Sequence, residues 1–115
     1  MKYLILIYSN PRARAQWAAM SAEEQGAGLA AYSALNESLV ASGELVAAEA
    51  LAMTAIPVPP RSDGPFAEAK EQLGGFYLVD VASEERAREI GAMVPEAPLG
   101  HVEIRPAQGL GDFAR

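Results

Sequence analysis

No cysteine occurs in the 115 residues, and histidine occurs once. The first absence excludes disulfides, thiol catalysis and most structural zinc sites. The second argues against a histidine-based metal site built within one chain. Positive charge is scarce as well: 9 Lys and Arg stand against 15 Asp and Glu, a net charge of -6. A protein that neutralises nucleic-acid phosphates needs a basic face, and Arg12 and Arg14 make a pair rather than a patch, so nucleic acid is not an expected partner. The same imbalance repels anionic membrane surfaces.

Long hydrophobic runs are missing too. The opening stretch, Tyr3 to Tyr8, is apolar but shorter than the core of a signal peptide, and Pro11, Arg12 and Arg14 follow at once. No run approaches the length of a membrane span. No P-loop, dinucleotide fingerprint, Gly-Xaa-Ser-Xaa-Gly elbow or EF-hand loop is present, so no cofactor is expected. The natural setting for a cysteine-free chain of this kind is the cytoplasm.

Half of the residues are hydrophobic, enough for one domain's core. Tyr3 to Tyr8 is apolar on both alternating faces, as a central strand covered on two sides would be. Pro11 to Met20 reads as a connector with a short helical turn around Trp17. A helix then starts at Ser21, where Glu24 completes a capping box, and ends at Gly43; Leu29, Tyr32, Leu35 and Leu39 form its apolar stripe. Glu44 to Leu51 is an Ala-rich edge strand, and the prolines at 57, 59 and 60 mark a loop. Pro65 to Leu73 is expected to form a short helix ending at Gly74, followed by an apolar strand from Phe76 to Val81. Ser83 caps a second long helix with Ala87, Ile90, Met93 and Val94 as its buried stripe. Leu99 to Arg105 is the last strand, with Val102 and Ile104 facing one way and His101, Glu103 and Arg105 the other.

Strand, helix, strand, strand, helix, strand is the order of a ferredoxin-like α+β fold. The four strands form an antiparallel sheet with both helices on one face, and the two most apolar strands sit in the centre. The domain runs over residues 1–106, with 107–115 as a tail whose Leu110 and Phe113 are expected to pack on protein. The other sheet face, roughly 400 Å² before side-chain relief is counted, is bare in a monomer. A second copy packing sheet to sheet would cover it, which predicts a homodimer burying at least ~800 Å² per subunit.

The most distinctive segment is Asp63-Gly64-Pro65-Phe66-Ala67-Glu68-Ala69-Lys70-Glu71, followed by Gly74, Gly75 and the strand Phe76 to Val81. This segment, the opening Met1 to Tyr8, the helix start Ser21-Ala22-Glu23-Glu24 and the ending Val102-Glu103-Ile104-Arg105-Pro106 resemble the DGPF branch of the YCII-related family. The resemblance implies a ferredoxin-like fold in a dimeric α+β barrel and no settled activity. It also implies a bacterial protein, of a kind often encoded beside or fused to alternative sigma factors, and hence a partner linked to such a system. Many members of the wider family pair a histidine on the first helix with an aspartate; the helix from Ser21 to Ser42 carries no histidine, so that dyad does not carry over. The chain is also shorter than many relatives before Asp63.

Asp63 is the leading candidate for a general acid, a general base or a ligand anchor, with His101 or Lys70 assisting. Its plainer role is to fix the turn before Gly64 and Pro65. Phe66, Glu68, Lys70, Glu103 and Arg105 are the candidate ligand-pocket residues, and Lys70 could neutralise an acidic ligand or Asp63 itself. The charges on the short helix also read as a solvated face, and the lone histidine as structural. Two functions remain open at this point. One is a non-catalytic small-ligand-binding or regulatory dimer. The other is a cofactor-free lyase or isomerase working by acid–base chemistry.

Overall fold

The structure is a computed structural model, and it describes residues 1–60, 71–99 and 101–113, the side chains of 112 and 113 excepted. Four strands, β1 (Lys2–Ser9), β2 (Leu45–Ala50), β3 (Gln72–Asp80) and β4 (Val102–Pro106), pair in the order β2-β3-β1-β4. Every neighbouring pair is antiparallel, so the sheet has the ferredoxin-like arrangement, with the first and third strands in the centre. These are the two most apolar strands. A central position pairs a strand on both edges, and the apolar residues of one face, Tyr3, Ile5, Ile7, Tyr77 and Val79, pack under the helices.

The helices are α1 (Pro11–Ala19), α2 (Ala22–Ser42), α3 (Glu84–Met93) and the single turn α4 (Leu110–Phe113). The stretch expected to be a connector is a nine-residue helix, because Pro11 opens it and the Asn10 side chain accepts from the Ala13 amide at 2.7 Å. The capping box of α2 forms as expected: the Glu24 amide donates to Ser21 Oγ at 3.1 Å and the Ser21 amide to Glu24 Oε1 at 3.0 Å. Gly43 ends α2 in the left-handed conformation, φ 78°, which a residue without a Cβ adopts freely. Ser83 caps α3, its hydroxyl accepting from the Arg86 amide at 3.1 Å.

Leu35 and Leu39 of α2 and Ala87 and Ile90 of α3 bury against Tyr3, Ile5 and Ile7 of β1 and Tyr77 and Val79 of β3. Both long helices therefore lie on one face of the sheet. Two expected core residues are out of it: Leu29 is 60% exposed and Met93 48%. A 21-residue helix is about 31 Å long, and α2 carries its first turns past the packed core. The last residue of the stripe expected on α3, Val94, is buried. Part of the short helix expected over 65–73 lies outside the described residues. Its last two positions are strand, because Gln72 and Leu73 pair with Ser9 and Tyr8. The start of the last strand also differs: a 3₁₀ turn occupies Ala97–Leu99, and pairing begins at Val102.

The two glycines after the distinctive segment have separate jobs. Gly74 is the extra residue of a bulge, since Ile7 faces Gly75 while Tyr8 faces Leu73. At Gly75 a Cβ would stand 3.1 Å from the Glu49 carbonyl oxygen, on a neighbouring strand held by its ladder. Gly75→Val is expected to cost about 1–3 kcal/mol through this clash, read as a fall in the denaturant midpoint.

Glu44 joins the β2 side of the sheet to α3. Its carboxylate accepts from Arg86 Nε and Nη2, both at 2.9 Å, and from the Ser42 hydroxyl at 2.8 Å. The Arg86 guanidinium, with Ser42 helping, holds the Glu44 carboxyl below its ordinary value of 4.5. A lowered folded-state pKa adds stability above the unfolded value and loses it as pH falls through the folded one. Arg86→Gln is thus expected to cost roughly 1 kcal/mol near neutral pH, with the gap to the parent closing as pH falls through the folded-state pKa of Glu44. Paired urea melts across that range check it.

Without a helix over it, the opposite face presents Leu4, Leu6 and Tyr8 from β1 and Phe76 and Leu78 from β3. Leu4 faces Leu78, and Leu6 faces Phe76. The flanking strands put Arg105 beside Leu4, Glu103 beside Leu6 and Glu49 beside Phe76. An apolar centre with a charged rim results.

Candidate functional site

A cleft of about 880 Å³ opens on the helix side of the sheet, beyond the point where Leu35 ends the packed core. The α1 helix forms the far wall with Trp17, which is 40% exposed. Gly28 explains how Trp17 is seated. A Cβ on Gly28 would lie 3.2 Å from Cζ3 of the indole, so the ring rests on the α2 backbone where a larger residue would push it off. The Trp17 carbonyl also accepts from Gln25 Nε2 at 2.7 Å, which ties α1 to α2.

The inner end of the cleft carries a small polar network. The Tyr32 hydroxyl donates to Glu96 Oε1, and the Tyr77 hydroxyl donates to Asn36 Oδ1. Burial and the bond to Glu96 push the Tyr32 phenol well above its ordinary value. Burial, and then the Glu96 charge, raise Tyr77 as well. Both phenols therefore stay neutral donors. At the outer end Arg14 Nη1 donates to Gln72 Oε1 at 3.4 Å.

A second cluster gathers around the end of β1, with His101 at the mouth of the cleft and the Tyr8–Glu103 pair on the helix-free face. The Tyr8 hydroxyl donates to Glu103 Oε1 at 2.8 Å. His101 Nδ1 lies 2.8 Å from Glu71 Oε1, which also accepts from Asn10 Nδ2 at 3.4 Å. The Tyr8 amide donates to the His101 carbonyl at 2.8 Å, which fixes the histidine beside β1 one residue ahead of β4. The bond to Glu103 raises the Tyr8 phenol, and the Glu71 charge adds to this while Arg105 opposes it. Among the described residues no group of three His, Asp or Glu side chains is placed to hold a metal ion, and no helix is long and apolar enough to cross a membrane.

Of the residues singled out from the sequence, His101, Glu103 and Arg105 thus come together around Tyr8, with Glu71 as an added member. Glu103 and Arg105 are exposed. Asp63, Phe66, Glu68 and Lys70 lie outside the described residues. Sequence reasoning missed the cleft itself. Tyr32 and Tyr77 read as core residues, and nothing local marked Trp17 or Glu96. One signal was available: Gly28 inside a long helical pattern, a costly residue there unless something packs on it.

A family model for the YCII-related domain matches residues 1–108. The chain belongs to the YCII-related family. Among curated proteins it is similar to an uncharacterised protein of Rhizobium meliloti (strain 1021), with 34% identity over 116 aligned positions covering 92% of this chain and 91% of the relative. The match therefore takes in the four strands and both long helices of this YCII-related protein, and with them every described residue of the cleft.

Proposed function

We propose that this YCII-related protein is a small-ligand-binding dimer whose ligand occupies the cleft between α1, α2 and the sheet. The cleft carries the reading: about 880 Å³ of largely apolar wall with a few convergent polar groups is the usual form of a small-molecule site. The regulatory side of the proposal, a partner in an alternative sigma-factor system, rests on the DGPF resemblance.

A thermal-shift screen tests it, with Gly28→Val as the altered-site variant, since its Cβ would stand 3.2 Å from the Trp17 ring and its methyl groups would crowd that wall of the cleft. A ligand at 100 times its Kd adds about 2.7 kcal/mol of stability. The expected outcome is a compound that raises the melting temperature of the parent and not of Gly28→Val. A screen without such a compound, or one that shifts both proteins equally, overturns the reading.

Dimerisation is part of the proposal. The apolar centre and charged rim of the helix-free face have the anatomy of an interface. The radius of gyration, 15.9 Å, also exceeds the roughly 13 Å of a compact domain near this size. Leu110, 86% exposed, finds no cover on its own subunit.

A second reading, a cofactor-free lyase or isomerase, is favoured by one contact: His101 held 2.8 Å from the Glu71 carboxylate at the mouth of the cleft. A carboxylate partner orients an imidazole for proton transfer. Asp63 would be the complementary acid or base. Conversion of a bound ligand by the parent, lost in His101→Asn with binding retained, would separate catalysis from binding.

A further inference from the structure

The geometry points to a protonated organic amine as the ligand of the cleft, held by the Glu96 carboxylate and the aromatic walls of Trp17, Tyr32 and Tyr77. This rests on the reading of the cleft as a ligand site and adds the charge of what it takes.

Glu96 is the carboxylate at the inner end, and its described bond is to a phenol rather than a cation. Its charge reaches both tyrosines, which marks the inner end as a region of negative potential. Of the other described charges along the cleft, Glu24 closes the capping box of α2, Arg14 bonds Gln72 at the opposite end, and Glu49 stands on β2 beside Phe76. Gln72 stands at the start of β3, five residues before Tyr77, and Arg14 makes its described bond to that neutral amide and no described ion pair with Glu96.

The aromatic lining sharpens the choice. Indole and phenol faces attract cations, indole most strongly, and the attraction grows where water is partly excluded. Tyr32 and Tyr77 are half buried or more deeply, and Trp17 lies over the backbone at Gly28. An anion would meet the same carboxylate with no cation paired to it among the described residues, and both phenols already donate to protein acceptors. A flat apolar body with an ammonium group uses every feature of the site: the body against the apolar wall, the ammonium at Glu96.

The chain contains one tryptophan, so its emission reports on the cleft directly. Three probes of one shape and different charge decide the question near neutral pH: 2-phenylethylamine, 2-phenylethanol and 3-phenylpropionate. The amine is expected to half-saturate the Trp17 response at a concentration at least ~10-fold below that of the carboxylate. Glu96→Gln is expected to erase that preference while leaving the response to the alcohol in place. Equal or tighter binding of 3-phenylpropionate, or a preference that survives Glu96→Gln, overturns the inference and leaves a cleft that binds by shape. No saturable response to any probe removes the ligand-site reading and the inference together.

Discussion

Leu39→Ala is expected to lower the unfolding free energy by about 2–5 kcal/mol. Leu39 is fully buried, at the meeting of α2 with the sheet. Shortening it removes methylene burial and leaves a space that a close-packed interior fills only in part. For a domain near this size each kcal/mol moves the melting temperature by about 4–8 °C, so a drop of roughly 10 °C or more should appear in a thermal melt. Val40, its neighbour in sequence, is 66% exposed, and Val40→Ala should stay within about 0.5 kcal/mol of the parent. Similar effects at the two positions would mean that α2 does not pack as described.

Leu78→Glu is expected to abolish the dimer. Leu78 lies on the helix-free face opposite Leu4, with Ala47 on its other side. A carboxylate there would be buried without a partner in a sheet-to-sheet interface, at a cost of several kcal/mol that no exposed monomer has to meet. Sedimentation should show a dimer for the parent and a monomer for the variant, with near-identical far-ultraviolet circular dichroism. A parent that sediments as a monomer at micromolar concentration contradicts the dimer at once. Cutting the chain after Pro106 adds a finer measurement. If Leu110 is covered by the partner, the truncated protein should dimerise more weakly and melt lower.

Much of the fold was legible because its signals are local. The Ser21–Glu24 box and Gly43 mark both ends of α2 through bonds within a few residues. The alternation of Val102 and Ile104 with Glu103 and Arg105 separates the two faces of β4 by strand geometry alone. The double-sided apolarity of β1 and β3 predicts their central places. The errors arose where distant contacts decide. The polar, Ala-rich stretch of α1 has no buried residue, and it is held in place by contacts from far along the chain, Gln25 of α2 on the Trp17 carbonyl and Gln72 of β3 on Arg14. The pairing of Gln72 with Ser9 claims residues that turn signals alone assign to a helix.

The candidate site divides in the same way. His101, Glu103 and Arg105 could be grouped from the sequence because they alternate along a single segment. The cleft could not, because its groups come from α1, α2, β3 and the turn after α3. By itself the sequence determined element order, helix caps, strand centrality and the absence of thiol chemistry, since each depends on residue type and short spacing. Only the tertiary structure decided that Trp17 rests on Gly28, that Glu96 meets Tyr32, and that Glu71 meets His101. The partners in these contacts stand 11, 64 and 30 residues apart, and no pattern along the chain encodes a distance that the packing of α1, α2 and α3 on the sheet creates.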